Sequence, residues 1–159
     1  MAKKPKQSKT LPIYILNGPN LNLLGVREPE VYGYTTLAQI EEMCAARAAA
    51  HGLAIVFRQS NREGEIVDHL QEARTAGSAV IINPAGYGHT SIAILDSIQA
   101  CGLPVIEVHL SNIHRREPYR NHSYVSKGAT GIIMGLGAQG YVRAVDAVAE
   151  ILSAKGKKK

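Results

Sequence analysis

The chain has 159 residues, of which 45% are hydrophobic and 19% are charged, and its formal net charge is +5 at pH 7. This length and apolar content suit one domain with a single buried core. The sequence has no run of about 18 apolar residues that would span a membrane, and no apolar signal core follows its charged N-terminus. We therefore expect a cytoplasmic protein without a membrane partner.

The excess positive charge lies at the two ends of the chain. Eight of the 18 basic residues are lysines of the terminal segments, so the 10 basic residues between Leu11 and Ala154 face 13 acidic ones. Short lysine-rich ends are usually solvated, although they can add salt-sensitive contacts to RNA or DNA. We predict basic, disordered tails at 1–10 and 153–159, a single domain at 11–152, and no specific nucleic-acid partner.

In chain order, the first predicted strand is 11–16, and a long loop follows it to about residue 34. The loop contains Gly25, Pro29 and Gly33, and loops of this length often close over a site. Thr35 or Thr36 then caps a helix that ends near residue 50. Cys44 in this helix and Cys101 in a later one have no metal-ligand spacing, which predicts buried thiols in a reducing compartment.

The rest of the chain alternates strands with helices. Further strands are predicted at 53–58, 79–82, 104–109 and 130–134, and further helices at 61–77, 90–100 and 137–153, with an irregular segment at 112–127. Such alternation requires right-handed crossovers and gives a parallel sheet. We predict an α/β protein, a flavodoxin-like three-layer sandwich with a five-stranded sheet of order 2-1-3-4-5. Ligands of this fold bind beyond the carboxyl ends of strands one and three.

Polar residues collect in the loops after strands one and three. Arg27 and Tyr32 share the first loop with Asn20, and a guanidinium near a phenol favours the phenolate form. The alternative is a surface arginine and a tyrosine that packs the loop. Asn83 and His89 follow strand three, where backbone N–H groups of a helix start can hold an anion. Alternatively, Asn83 only forms the hydrogen bonds of its own turn, and His89 is a solvent-facing neighbour of the helix cap.

The fourth strand carries Glu107, His109 and Ser111 on one face, because side chains of a strand alternate. A carboxylate two residues from a histidine can hold the tautomer of the imidazole and favour its protonated form, as a general acid needs. Two alternatives stay open, a buried pair without function and a zinc site that adds His89.

Arginines at 115, 116 and 120 follow the fourth strand. Arginine side chains bind carboxylates through two parallel hydrogen bonds, which indicates an anionic ligand, although a surface charge run has the same pattern. The sequence has no phosphate-binding Gly-Lys-Ser loop and no Gly-x-Ser-x-Gly nucleophile elbow. The spacing Gly-x-Gly-x-x-Gly occurs at 135–140, but it follows the last strand and no acidic fingerprint residue comes after it, so we do not predict a dinucleotide site. We predict acid–base chemistry on an anionic small molecule; the alternative is a non-catalytic module that binds such a molecule.

Several motifs occur in an order and spacing that resemble the type II 3-dehydroquinate dehydratases. They are Asn17-Gly18-Pro19-Asn20-Leu21, Leu24-Gly25, Arg27-Glu28-Pro29, Tyr32-Gly33, Asn83-Pro84-Ala85-Gly86, His89-Thr90-Ser91, Glu107-Val108-His109-Leu110-Ser111-Asn112, Arg116, Arg120, His122-Ser123-Tyr124, Gly135-Leu136-Gly137 and Gly140-Tyr141. The similarity covers 11–152. It implies that 3-dehydroquinate loses water to give 3-dehydroshikimate, without metal or cofactor, in the shikimate pathway or in quinate breakdown.

The resemblance also implies roles for individual residues. Tyr32, as a phenolate assisted by Arg27, would take a proton beside the ketone, and His109 would protonate the departing hydroxyl. Asn20 would position a water that stabilises the enolate. Substrate binding would fall to Asn83, His89, Glu107, Leu110, Ser111, Arg116 and Arg120, with Glu107 also orienting its neighbour and Arg116 belonging to the closing lid. Asp96 would reach the site of a neighbouring subunit, in a homo-oligomer of trimers assembled into a dodecamer.

Overall fold

The computed structural model describes residues 10–157, which form a five-stranded parallel sheet of order β2-β1-β3-β4-β5. The strands are β1 (Ile13–Asn17), β2 (Ile55–Gln59), β3 (Ala79–Asn83), β4 (Val105–His109) and β5 (Gly131–Met134). The predicted flavodoxin-like sandwich and its strand order are confirmed. β1, β3 and β4 are buried throughout, as expected for strands covered on both faces.

Within residues 10–157, five α-helices connect or cover the strands. They are α1 (Pro29–Tyr32), α2 (Leu37–Ala50), α3 (Glu63–Ala76), α4 (Ile92–Cys101) and α5 (Gln139–Gly156). Alternate side chains of β1 divide the core: Ile13 and Ile15 pack with α2 and α5, whereas Tyr14 and Leu16 pack with α3 and α4. This division follows from the two-residue repeat of a strand and produces the three predicted layers.

Helix boundaries agree with the sequence where capping chemistry is explicit. The Thr36 side chain accepts a hydrogen bond from the Gln39 backbone at 3.2 Å, and the Gln39 side chain accepts one from the Thr36 backbone at 2.9 Å. This capping box starts α2 where predicted. The buried, unbridged state of Cys44 and Cys101 is also as predicted, and burial raises the pKa of the Cys44 thiol to about 12.

The largest differences from the prediction concern the first loop and the end of the last helix. The long first loop is partly ordered, because it contains a 3₁₀ turn at Leu21–Leu23 and the one-turn helix α1. α5 continues to Gly156, so residues 153–156, which the sequence places in the C-terminal tail, are helical. Ile151 and Leu152 pack on the core and stabilise this last part of the helix. The predicted N-terminal tail lies almost wholly outside the described residues.

The ends of β1, β3 and β4 meet at one edge of the sheet. Asn17 of β1 is in register with Asn83 of β3, and the Gly18 backbone donates to the Asn83 carbonyl at 2.8 Å. A Cβ on Gly18 would lie 2.3 Å from the carbonyl oxygen of Pro84, so only glycine fits this close approach. None of the helices formed within 10–157 is long and apolar enough to cross a membrane.

An ion cluster between α2 and α5 provides a prediction about stability. Asp146 accepts from Arg47 Nε at 2.5 Å and pairs with His51 Nε2 at 2.8 Å, which together hold its pKa at about 2. Because this folded-state pKa lies below the unfolded value near ~3.9, the stabilisation is present above pH ~4 and is lost as the pH falls toward ~2.

We therefore expect Asp146→Asn to lower the thermal unfolding midpoint at pH 6 by up to about 4 °C, since exposed ion pairs contribute little. The measurement is thermal unfolding of both proteins at several pH values. The difference between them should disappear near pH 2, and a difference independent of pH would contradict the assignment.

Candidate active site

A cavity opens at the edge where the polar strand ends meet. Its lining residues are Pro19, Asn20, Leu21, Leu24, Arg27, Tyr32, Asn83, Ala85, Gly86, Leu110, Arg116 and Arg120. Seven of these belong to the predicted site, and they come from the loop after β1, the end of β3 and the segment after β4. The fold therefore gathers these loops around one cavity, as the position of the topological switch point predicts.

Tyr32, the last residue of α1, is held by two arginines. Arg116 Nη1 donates to the Tyr32 hydroxyl at 2.9 Å, and its guanidinium carbon lies 5.2 Å from the ring centroid. The Arg27 guanidinium carbon lies 5.5 Å from the same centroid, while its Nη2 pairs with Glu28 at 3.2 Å. A hydrogen bond from a cation stabilises negative charge on the phenol oxygen, so this arrangement suits a tyrosine that acts as a base.

Arg116 approaches Tyr32 from the segment after β4 and not from the first loop. Its Nη1 is also 3.5 Å from the Ser111 hydroxyl, and its side chain is 15% exposed. That Arg116 belongs to a closing lid stays a prediction; in this structure its guanidinium donates to the hydroxyl of the loop tyrosine. Its place in the cavity agrees with the predicted contact to substrate.

Asn20 has a left-handed backbone, with φ 68°, which asparagine tolerates better than most residues. Its N–H donates to Asn61 Oδ1 at 2.9 Å. Gln59 Nε2 also donates to Asn61 Oδ1, at 3.0 Å, and to the carbonyl of Gly18 at 3.2 Å. The polar residues after β2 thus hold the backbone that presents Asn20 to the cavity.

Asn83 is buried and belongs to a chain of hydrogen bonds below the cavity. Its Nδ2 donates to the Tyr141 hydroxyl at 2.9 Å, and that hydroxyl donates to Asn17 Oδ1 at 2.7 Å. Asn83 Oδ1 accepts from the Ala85 backbone at 3.1 Å, so it also satisfies its own turn. Burial raises the pKa of Tyr141, which keeps this phenol protonated and able to donate.

Glu107 and His109 form the pair that the strand alternation predicts. Glu107 is fully buried, and its Oε1 pairs with His109 Nε2 at 2.7 Å. Burial would raise the pKa of Glu107, but hydrogen bonds from His109, Ser123 and Ser126 outweigh burial and hold it below its ordinary value. An ionised carboxylate only accepts, so His109 Nε2 carries a proton and Nδ1 remains for chemistry.

The prediction that Glu107 binds substrate needs correction. Its side chain is completely enclosed, and both carboxylate oxygens accept hydrogen bonds from this chain. It can orient His109, as the resemblance also implies, but it does not line the cavity. His109 itself is 4% exposed and precedes Leu110, which does line the cavity.

His89, His109, Ser111 and Asp96 are not among the residues that line the cavity of this single chain. The His89 ring stacks on His109, with centroids 6.4 Å apart, and its Nδ1 lies 2.7 Å from the His122 carbonyl. Burial, helped by neighbouring positive groups, lowers the pKa of His89 and favours its neutral form. Asp96 lies on the exposed side of α4. Within 10–157, no three side chains of the zinc-binding types converge as a metal site would require.

A model of one protein family, described as dehydroquinase class II, matches residues 11–149. The chain belongs to the class II dehydroquinase family. A 3-dehydroquinate dehydratase of Streptomyces coelicolor is 57% identical over 151 residues, covering 94% of this chain and 96% of the relative. One from Streptomyces avermitilis is 61% identical over 141 residues, covering 88% and 89%.

Solved structures of class II dehydroquinases agree with this assignment. The type II dehydroquinase from Propionibacterium acnes has a TM-score of 0.85 at 40% identity, covering 89% of this chain and 97% of that one. The type II dehydroquinase from Butyrivibrio crossotus has the same TM-score at 36% identity, covering 87% and 97%. Sequence and fold therefore identify the same family of hydro-lyases.

The sequence analysis assigned no role to the residues that support this class II dehydroquinase site, although its motifs contain Asn17, Ser123 and Tyr141. The supporting residues are Asn17, Gln59, Asn61, Ser123, Ser126 and Tyr141. Asn61 and Gln59 follow a strand next to β1, and polar residues at such a strand end are a signal that could have found them. No periodic pattern points to Ser123 or Ser126, because they reach Glu107 from an irregular segment.

Proposed function

We propose that this chain dehydrates 3-dehydroquinate to 3-dehydroshikimate, in the shikimate pathway or in quinate breakdown. Membership of the family supports the reaction class. The observation that carries the mechanism is the 2.9 Å hydrogen bond from Arg116 to the Tyr32 hydroxyl at the cavity. It gives the site a phenol oxygen whose negative charge is stabilised by a cation, which a base working on a weak carbon acid requires.

In the first step, the Tyr32 phenolate takes a proton from the carbon beside the substrate ketone. The electron pair of the broken C–H bond moves onto the ketone oxygen and forms an enolate. Asn20, which lines the cavity on its fixed left-handed backbone, holds a water that donates to the enolate oxygen. Donors that are already in place when charge develops lower the barrier.

In the second step, the enolate collapses and the C–O bond to the leaving hydroxyl breaks. His109 donates its Nδ1 proton to that hydroxyl, which departs as water. Glu107, bound to His109 Nε2, stabilises the imidazolium form that serves as the acid. The Tyr32 proton then returns to solvent, and the imidazole takes up a proton for the next cycle.

Substrate binding uses the polar groups around these two residues. Arg120 lines the cavity and can bind the substrate carboxylate. In this structure its Nε pairs with Glu117 Oε2 at 3.0 Å. Asn83 and the backbone at Leu110, which line the cavity, bind the hydroxyls. That Ser111 and His89 also bind them stays a prediction. The contribution of Asp96 to a neighbouring site, the dodecamer of trimers and the cytoplasmic location stay predictions.

The direct test is to add 3-dehydroquinate to the purified protein and to follow the ultraviolet absorbance of the conjugated enone. We expect absorbance to grow at a rate that a chelator does not change. Enzyme that has been exposed to borohydride together with substrate, and then freed of both, should keep its activity. A folded protein that produces no enone would reject the proposal and favour a non-catalytic module. Inhibition by a chelator would instead restore the zinc alternative.

A further inference from the structure

The carboxylate of Glu107 is buried in β4 and has no arginine or lysine partner among the described residues. A buried charge is unfavourable unless hydrogen bonds replace its lost hydration. His109 supplies one such bond, to Oε1. The remaining acceptor positions must be satisfied by other donors, and these donors determine where the carboxylate points.

Two serines of one turn supply them. Ser123 Oγ donates to Glu107 Oε1 at 2.5 Å, and Ser126 Oγ donates to Glu107 Oε2. The Ser126 backbone N–H donates to Ser123 Oγ at 3.3 Å. The Ser123 hydroxyl therefore accepts from the backbone and keeps its own proton for the carboxylate. Each carboxylate oxygen is thus held by at least one hydroxyl, so the group cannot rotate without breaking a bond.

The turn that carries the serines is itself fixed. The Tyr124 backbone donates to the Gly88 carbonyl at 2.8 Å, and Val125 is fully buried in the core. His122, the residue before the turn, exchanges hydrogen bonds with His89: its carbonyl lies 2.7 Å from His89 Nδ1, and its Nε2 lies 2.8 Å from the His89 carbonyl. The serines therefore approach Glu107 from a rigid support.

We propose that Ser123 and Ser126 are positioning residues for the dehydration: their hydroxyls fix the Glu107 carboxylate, which in turn fixes the ring orientation and tautomer of His109. The inference rests on the proposed function for its kinetic consequences. Both serine hydroxyls donate to Glu107 and neither serine lines the cavity, so each acts through Glu107.

The serine hydroxyls also act on the charge of Glu107. Their hydrogen bonds are among those that hold its pKa below the ordinary value against the effect of burial. Losing a hydroxyl raises this pKa, so Glu107 takes up a proton at higher pH. The titratable group that faces Glu107 is His109. The His89 ring centroid lies 6.4 Å from that of His109, and the His122 ring centroid lies 6.1 Å from that of His89.

The test compares Ser123→Ala, Ser126→Ala and the double variant with the full-length wild type. Hydrogen bonds to charged groups are strong enough that we expect kcat to fall about tenfold or more in each variant, with KM changing less than about threefold. The acidic limb of the kcat profile should move to higher pH. By ¹³C NMR, the Glu107 carboxyl should also titrate at higher pH than in the wild type.

The chain offers a rescue variant and a matched control. Ser126→Thr keeps a hydroxyl and should retain kcat within about threefold, whereas Ser126→Cys, a weaker donor, should lose activity. Ser78→Ala removes a hydroxyl that donates to the Pro12 carbonyl at 3.3 Å, away from the site, and should leave kcat and its pH profile unchanged.

Three outcomes would overturn the proposal. The first is a folded double variant with wild-type kcat and pH profile, and the second is a loss of kcat without a shifted acidic limb or rescue by threonine. The third outcome applies if the alanine variants do not fold: equal activity of the Ser126→Cys and Ser126→Thr proteins would then overturn the proposal. If the wild type does not act on 3-dehydroquinate, the proposed function fails, and the NMR titration still tests the serines.

Discussion

Replacing Tyr32 with phenylalanine is expected to lower kcat at least a hundredfold, in line with the usual contribution of a general base. The substitution removes only the phenol oxygen, which accepts from Arg116 at 2.9 Å. The ring, which packs on the core cluster and under two guanidinium groups, remains. The measurement is the initial rate of enone formation, with the thermal unfolding midpoint recorded to show that the variant is folded.

Tyr34→Phe is the matched control for this variant. Tyr34 lies two residues further along the same loop, is 80% exposed and does not line the cavity. The same loss of a phenol oxygen there should leave kcat within about twofold of wild type. A Tyr32→Phe enzyme that retains more than a tenth of wild-type turnover would show that the base lies elsewhere.

Replacing His109 with glutamine is expected to lower kcat by about 10²- to 10⁴-fold, because the amide cannot protonate the leaving hydroxyl. The amide can still donate to Glu107, which keeps the buried carboxylate hydrogen-bonded and separates loss of the acid from loss of the fold. Both the rate of enone formation and the incorporation of solvent deuterium beside the ketone are measured.

These two measurements distinguish base from acid. His109→Gln should still incorporate deuterium, because Tyr32 can form the enolate without completing elimination, whereas Tyr32→Phe should not. His114→Gln, at an exposed histidine of the segment after β4, is the control and should retain full activity. Loss of deuterium exchange in His109→Gln together with retained exchange in Tyr32→Phe would reverse the assigned roles.

Local patterns in the sequence account for a large part of the fold. The alternation of apolar strands with helices predicts the parallel sheet and its order, and the Thr36 capping box places the start of α2. The two-residue repeat of β4 predicts that Glu107 and His109 share a face, and they lie 2.7 Å apart. Each of these depends on residues that are close in sequence, where geometry follows from secondary structure alone.

Only the tertiary structure decides which distant side chains meet. Arg116 and Tyr32 are 84 residues apart, and Asn61 and Asn20 are 41 apart, yet each pair forms a hydrogen bond. The sequence by itself determines the layered fold and the residue types gathered at the carboxyl ends of its strands. The structure decides that Arg116 contacts the phenol and that Glu107 is enclosed, because these contacts depend on how irregular loops pack against one another and not on any periodic pattern.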